Sequence, residues 1–213
     1  MKRVLSIFCA LCVFFFLLTA AIGLPIYIRP FYYAHIEAFD LARVSGYSEA
    51  EIREAYDEVL DYLTLPGKEF STGVLPHSAE GKAHFEDCKV LFDLNASILV
   101  GSGLVLAVLF LMRKKWGPYR IGKHSAPFWA AVLSVTAPIA IGALAALDFD
   151  RAFVIFHSIF FPGKTNWVFD WYADPIIRVL PQAFFMDCAI LIGVGLITMA
   201  VGILVWESRK KKT

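Results

Sequence analysis

The sequence predicts an all-α integral membrane protein, four transmembrane helices with a helical extracytoplasmic cap formed by two outer loops, as one membrane domain over 1–213. Three observations predict it. Of 213 residues, 58% are hydrophobic and 18% charged, with a mean hydropathy of +0.62, too apolar for a water-soluble enzyme of this length. Four stretches, about 4–28, 94–112, 127–147 and 186–206, are long enough to cross a hydrocarbon core of about 30 Å, which takes about 20 helical residues. Finally, the net charge of +1 hides a separation. Lys2, Arg3, the run 113–115, Arg120, Lys123 and the run 209–212 lie on one side of the spans with only Glu207 opposing them, while the other side is strongly acidic. The positive-inside rule then places both termini and the 113–126 loop in the cytoplasm and the loops 29–93 and 148–185 outside. Four cysteines are too few for a disulfide scaffold, and the charge is too low for disorder.

The first span carries no charge from Val4 to Ile28. It exceeds the 7–15 apolar residues of a signal peptide and lacks a small-residue cleavage site, so it is expected to stay in the membrane. Cys9 and Cys12 follow Phe8 and Leu11 rather than small residues and read as packed thiols. In the second and fourth spans Gly101, Gly103, Gly193, Gly195 and Gly202 suit close helix approach. Cys88 and Cys188 both fall near the outer boundary, where either a disulfide or two unpaired thiols fits the pattern.

The first outer loop opens on Pro30 and interfacial aromatics. Ser48 and Glu51 then have capping-box spacing ahead of Ile52, Ala55, Tyr56, Val59, Leu60 and Leu63, an i, i+3, i+4, i+7 stripe opposed by acidic residues. This predicts a four-turn helix lying over the outer end of the bundle as a lid. Pro66-Gly67 ends it, and Ser78 is placed to N-cap the helix that leads into the second span. The second outer loop is dense in aromatics. Its stretch from Ala152 to Phe161 is too short to span and is expected to lie at the interface or re-enter, and Pro162-Gly163 ends it.

Phosphate-binding glycine loops, Cys-x-x-Cys pairs and nucleophile elbows are absent from the sequence, and the basic tail reads as a stop-transfer flank, with no nucleic-acid partner. The informative residues are the ionisable ones near the outer membrane edge: His84, Asp87, Lys89, His157, Asp174 and Arg178. His84 and Asp87, three apart, share a helix face, so the carboxylate can orient the imidazole. His157, flanked by bulky apolar residues, is expected to be neutral, the form a general base needs. Each histidine equally fits a buried structural role, and a metal site of His84, Asp87, His157 and Asp174 lacks a ligand spacing to support it. Asp174 and Arg178 suit a helical ion pair, Lys89 can snorkel, and His35, His77 and His124 have no comparable partners in the sequence.

The run Ser78-x-Glu80-x-x-x-His84-x-x-Asp87-x-Lys89 resembles the first signature of the bacterial lipoprotein intramolecular transacylases. Phe156-His157-x-x-Phe160-Phe161, Trp167-x-Phe169, Asp174-x-Ile176-Ile177, Pro181 and Phe184-Phe185 are similar to the second. Phe85 and Cys88 depart from the pattern, where Met and Val are expected. The resemblance implies a membrane acyltransferase that needs no cofactor and no metal. It would move the sn-2 acyl chain of a diacylglyceryl-modified bacterial lipoprotein from its glyceryl group to the α-amine of the same cysteine, giving the N-acyl lyso form.

On that reading His157 is the base and His84, oriented by Asp87, the proton donor, with the reverse order open. Lys89 or backbone N–H groups would polarise the ester carbonyl, and Phe156, Trp167, Asp174 and Phe184 would help bind substrate and lipid at the outer face of the cell membrane. Two other classes compete. A non-enzymatic lipid-binding or accessory subunit would keep the aromatics yet tolerate loss of both histidines, and a transporter would need ionisable residues or broken helices at mid-membrane, which these spans lack.

Overall fold

In the computed structural model residues 2–210 are described, so Lys211 and Lys212 of the basic tail lie outside the described residues. In chain order the elements are α1 (Lys2–Tyr27), α2 (Arg29–Ala38), α3 (Leu41–Ser45), α4 (Glu49–Thr64), α5 (Ala79–Leu111), α6 (Arg113–Trp116), β1 (Arg120–Ile121), β2 (His124–Ser125), α7 (Ala126–Ala145), α8 (Phe149–Phe160), α9 (Ile176–Val179) and α10 (Gln182–Lys210). Four of these, α1, α5, α7 and α10, are long and apolar enough to cross a membrane. The protein is an all-α membrane protein built on those four helices.

Two compact units divide the chain. The first takes residues through Leu24, Asn95–Leu147 and the chain from Ile190. Its core is narrow, formed by Cys9, Val13, Leu17, Ala21, Leu109, Ala126, Ala130 and Leu196. Much of the remaining apolar surface is open, with Leu104, Ile141, Leu144 and Leu147 all more than half exposed, as helices require when lipid rather than protein solvates them. The glycines separate into two kinds. A Cβ on Gly103 would meet the Phe16 ring at 3.3 Å, and one on Gly195 would run into the Leu24 side chain, whereas Gly101, Gly193 and Gly202 face nothing within 4 Å. Of these five, only Gly103 and Gly195 therefore serve close approach. Between α5 and α7 the chain forms an antiparallel β1–β2 hairpin, pairing Arg120 with Ser125 and Ile121 with His124; two-residue strands are too short to leave an alternating pattern in the sequence. Glu207, the one acid on the basic side, is buried and accepts the Ser125 N–H at 3.1 Å and the Ser125 hydroxyl.

The second unit takes Pro25–Leu94 and Asp148–Ala189. α4 organises it. Ser48 accepts the Glu51 N–H at 3.3 Å while Glu51 accepts the Ser48 N–H at 2.8 Å, a reciprocal cap that satisfies two otherwise orphaned donors. The helix then buries Ile52, Ala55, Tyr56, Val59, Leu60 and Leu63, the whole of the predicted stripe. Its acidic face is less free than the sequence suggests: Asp57 binds Arg29 at 2.8 Å, Asp61 also binds Arg29, and Glu58 holds Lys68 at 3.1 Å. Pro30 sits in the first turn of α2, where no amide donor is needed. On α2, Tyr32 is fully buried, stacks on Tyr56 at 3.8 Å and donates its hydroxyl to the Val179 carbonyl at 2.7 Å.

Phe184, expected at a lipid-binding surface, belongs to this core instead. It is 4% exposed and packs edge-on against Tyr32 at 5.1 Å. Cys88 and Cys188 are free thiols packed against the same core, so of the two alternatives the unpaired one holds. The stretch expected at the interface is α8, whose only buried residue is His157 and whose Val154, Ile155, Phe156, Ile159 and Phe160 are all exposed.

Candidate active site

α5 carries the first histidine. At about 1.5 Å per residue its 33 residues reach about 50 Å, well beyond a hydrocarbon core of about 30 Å. The excess lies at its polar N-terminal end, with His84, Asp87, Cys88 and Lys89. Ser78 starts this end: its hydroxyl accepts the Gly81 N–H at 2.9 Å. Ser78 in turn is held by Asp174, which is 2% exposed and accepts the Ser78 N–H at 2.7 Å and the Ser78 hydroxyl at 2.8 Å. A Cβ on Gly81 would collide with the Asp174 carboxylate and lie 3.2 Å from Phe169, so glycine is required for the two segments to close. Asp174 is thus a latch. The anticipated ion pair with Arg178 is not formed; that guanidinium donates to the Trp171 carbonyl at 2.6 and 2.9 Å.

The latch and the amphipathic α8 bring His84 and His157 together. Their ring centroids are 5.8 Å apart at an interplanar angle of 33°, and each residue is 6% exposed. Trp167 stacks on His157 at 4.5 Å with Phe153 at 4.3 Å, and Phe161 and Phe169 stand edge-on to His84 at 5.0 and 5.5 Å. His157 Nδ1 lies 2.7 Å from the Phe153 carbonyl one helical turn back. A carbonyl can only accept, so Nδ1 carries the hydrogen, and the neutral ring keeps its lone pair on Nε2. Burial lowers the pKa of His157 below the ordinary 6.5, the bond to Phe153 opposing that shift in part. For His84, Nε2 is 3.4 Å from Cys88 Sγ and Nδ1 is buried with no hydrogen-bond partner.

The other predicted site residues are distributed unevenly. Asp87 makes no hydrogen bond to His84; it binds the Lys164 ammonium and accepts from Asn166 Nδ2 at 3.0 Å. It thereby fixes the 164–167 turn, where Trp167 donates to the Lys164 carbonyl at 3.1 Å while lying on His157. Lys89 is directed elsewhere, donating at 2.7 Å to the Tyr62 carbonyl and at 3.4 Å to that of Leu65, where it satisfies the C-terminal end of α4. Phe156 is 47% exposed and edge-on to His157 at 5.5 Å. His84, Asp87, His157 and Asp174 do not converge as metal ligands among the described residues.

Sequence reasoning passed over Lys164 and Asn166, although two polar residues just after Pro162-Gly163 in an otherwise aromatic loop were a signal. Asn166 Oδ1 is itself buried and unpartnered. Histidines given no partner from the sequence have them: His35 binds the Phe31 carbonyl at 2.7 Å and Asp187 at 3.0 Å, His77 lies 3.2 Å from the Thr72 hydroxyl, and His124 is 3.6 Å from Glu207. Apart from the Phe31 carbonyl one helical turn before His35, those partners come from distant positions or from side chains with no helical spacing.

The in meso structure of the membrane-integral lipoprotein intramolecular transacylase Lit from Bacillus cereus matches with a TM-score of 0.87 at 24% identity, covering 100% of this chain and 98% of that one. Two variants of the Bacillus cereus protein, each with one histidine replaced, by arginine or by alanine, match with TM-scores of 0.81 at 23% identity, covering 100% of this chain and 94% and 96% of theirs. Likeness at that identity shows the fold. No curated protein matches the chain. The sequence model of the family described as lipoprotein intramolecular transacylase Lit matches residues 7–185. That match takes in α8 and the part of α5 that bears the histidines, and by it this chain belongs to the lipoprotein intramolecular transacylase family, membrane enzymes of acyl transfer.

Proposed function

We propose that the chain transfers the sn-2 acyl group of a diacylglyceryl lipoprotein to the α-amine of its own N-terminal cysteine, with His157 as general base. The observation that carries this is the meeting of two buried histidines, one of which has its Nε2 lone pair free because Nδ1 is committed to the Phe153 carbonyl. The amine, with an ordinary pKa of about 7.7–8.0, attacks as the neutral form. A C–N bond forms at the ester carbonyl carbon as the amine proton passes to His157 Nε2, and the C–O bond to glycerol then breaks as that oxygen takes the proton back from His157, while the neutral His84 ring donates a hydrogen bond to the charge developing on oxygen. The cycle is balanced with one ester consumed, one amide formed and no net proton released.

Tethering of nucleophile and electrophile in one molecule supplies an effective concentration far above any free one. Asp87 acts on this chemistry indirectly, by holding the 164–167 turn and with it Trp167 on His157. The exposed apolar face of α8, including Phe156, is the surface for membrane lipid and acyl chains. The charge asymmetry supports cytoplasmic termini and a site at the outer face.

The test is mass spectrometry of the N-terminal lipopeptide from cells making diacylglyceryl lipoprotein, with the wild-type chain and with His157→Ala. An unchanged total mass with one acyl chain moved to the amine, lost in the variant, is the expected result. A free N-terminus in cells holding abundant folded protein would overturn the proposal. The lipid-binding reading is not favoured, because it gives no reason for two unlike buried imidazoles to face each other.

A further inference from the structure

We infer that Cys88 is a positioning residue that sets the tautomer of His84 and so assigns the two histidines opposite roles. This rests on the acyl-transfer reading above and deepens it. Cys88 lies one helical turn after His84 on α5, and its Sγ is 3.4 Å from His84 Nε2, within hydrogen-bond reach for sulfur. A neutral thiol is a weak donor and a poorer acceptor, whereas an imidazole lone pair is a strong acceptor, so the S–H points to Nε2. The hydrogen of the neutral ring then resides on Nδ1.

A second, independent observation marks what that hydrogen is for. His84 is 94% buried by its 6% exposure, and its Nδ1 is fully covered with no partner. A buried polar atom left unpaired is costly, and a native site tolerates one where a ligand completes it. With Cys88 holding Nε2, the orphan is an N–H donor, suited to an ester carbonyl as it becomes an oxyanion and to the glycerol oxygen as it leaves. His157 is the mirror case, its Nδ1–H committed to the Phe153 carbonyl and its Nε2 bare. Two backbone and side-chain contacts thus make one ring a donor and its neighbour an acceptor. The titratable and charged groups around His84 are His157 on α8, Asp87 beside it on α5, and Lys164 from the turn after α8. Asp87 and Lys164 are bound to each other, so Cys88 remains the group in contact with Nε2.

The test compares Cys88→Ser, Cys88→Val and Cys88→Ala in the full-length protein, using a synthetic diacylglyceryl lipopeptide for kinetics and 15N-histidine NMR for the tautomer. In the wild type His84 is expected to show a protonated Nδ1 and a bare Nε2. Cys88→Ser keeps a donor and should retain that signature and a kcat within about twofold. Cys88→Val and Cys88→Ala should populate the other tautomer and lose about tenfold in kcat, the loss of one directed hydrogen bond, with KM unchanged. An Nε2-protonated His84 in the wild type would overturn the inference, as would a valine variant whose tautomer is unmoved whatever its kcat. Failure of the transacylase reading is a different result: a wild-type protein that gives no N-acyl product, irrespective of the NMR signature.

Discussion

Asp174 takes two hydrogen bonds from Ser78, 96 residues earlier in the chain, one from the backbone at 2.7 Å and one from the hydroxyl at 2.8 Å. The pair ties the start of α5 to the segment before α9 and thereby sets where His84 stands. Replacing Asp174 with Ala leaves the half-buried Ser78 amide and hydroxyl without this acceptor. The expected cost is about 1.5–3 kcal/mol per charged hydrogen bond lost, seen as a lower thermal midpoint, together with a fall in kcat larger than any change in KM.

Gly81→Ala tests the same latch by sterics. The added methyl would overlap the Asp174 carboxylate and press on Phe169, so the loop must move. We expect loss of activity comparable to that of Asp174→Ala, and a double variant no worse than either single one, since both break one contact. Thermal unfolding and lipopeptide turnover of the three proteins check it.

Acid should affect the enzyme through His157. Its pKa is held below 6.5 chiefly by burial, so the lone pair on Nε2 persists below the pH at which a solvated histidine would be charged. As pH falls through the depressed value, Nε2 takes a proton and kcat falls. Stability moves with it: the unfolded chain binds this proton more readily, so stability is present above 6.5 and is lost as pH falls through the folded value. Because the substrate amine loses its nucleophilic form below its own pKa of about 7.7–8.0, protonation of His157 is expected as a second, steeper fall in kcat below 6.5, and a second fall lying at or above 6.5 would exclude His157 as the base.

Phe184 and Phe156 should part company. Truncating the buried Phe184 to Ala removes a core ring packed on Tyr32 and should cost about 3–5 kcal/mol in unfolding free energy with acyl-chain preference intact. Truncating the exposed Phe156 should leave the thermal midpoint nearly unchanged and raise KM for the lipopeptide. Melting curves and competition between acyl-chain lengths distinguish the two.

Ser48→Ala isolates the α4 cap from the chemistry. Losing the reciprocal bonds with Glu51 should lower stability by about 1 kcal/mol while kcat at a temperature well below the midpoint stays the same, as read by denaturant titration and turnover.

What the sequence made legible follows from periodicity. The six buried residues of α4 lie at helical spacing and its cap at fixed offsets, so both can be read one residue at a time; the same holds for four apolar runs. His84 and His157 were legible as candidates because an ionisable residue near a membrane edge needs a reason. The parts that stayed hidden are those made by tertiary convergence. Asp87 shares a helix face with His84, yet the donors that bind it, the Lys164 ammonium and the Asn166 amide, come from 77 and 79 residues away. Asp174 has Arg178 at ideal helical spacing, but the backbone turns before α9 and the carboxylate reaches Ser78 instead. The aromatic ring of Phe184 carries no mark that distinguishes core from lipid surface, and Lys89 has a stem long enough to reach a helix end.

The rings around the two histidines also bear on fidelity. An activated ester is open to any nucleophile, and water at its bulk concentration competes with a single amine. Hydrolysis would release a fatty acid and leave the lipoprotein one chain short with its amine still free. Trp167, Phe153, Phe161 and Phe169 close around the imidazoles until each is 6% exposed, so a base that could equally well activate water has almost none beside it. On the proposed mechanism the aromatic enclosure adds to the tethering of amine and ester, favouring transfer over hydrolysis.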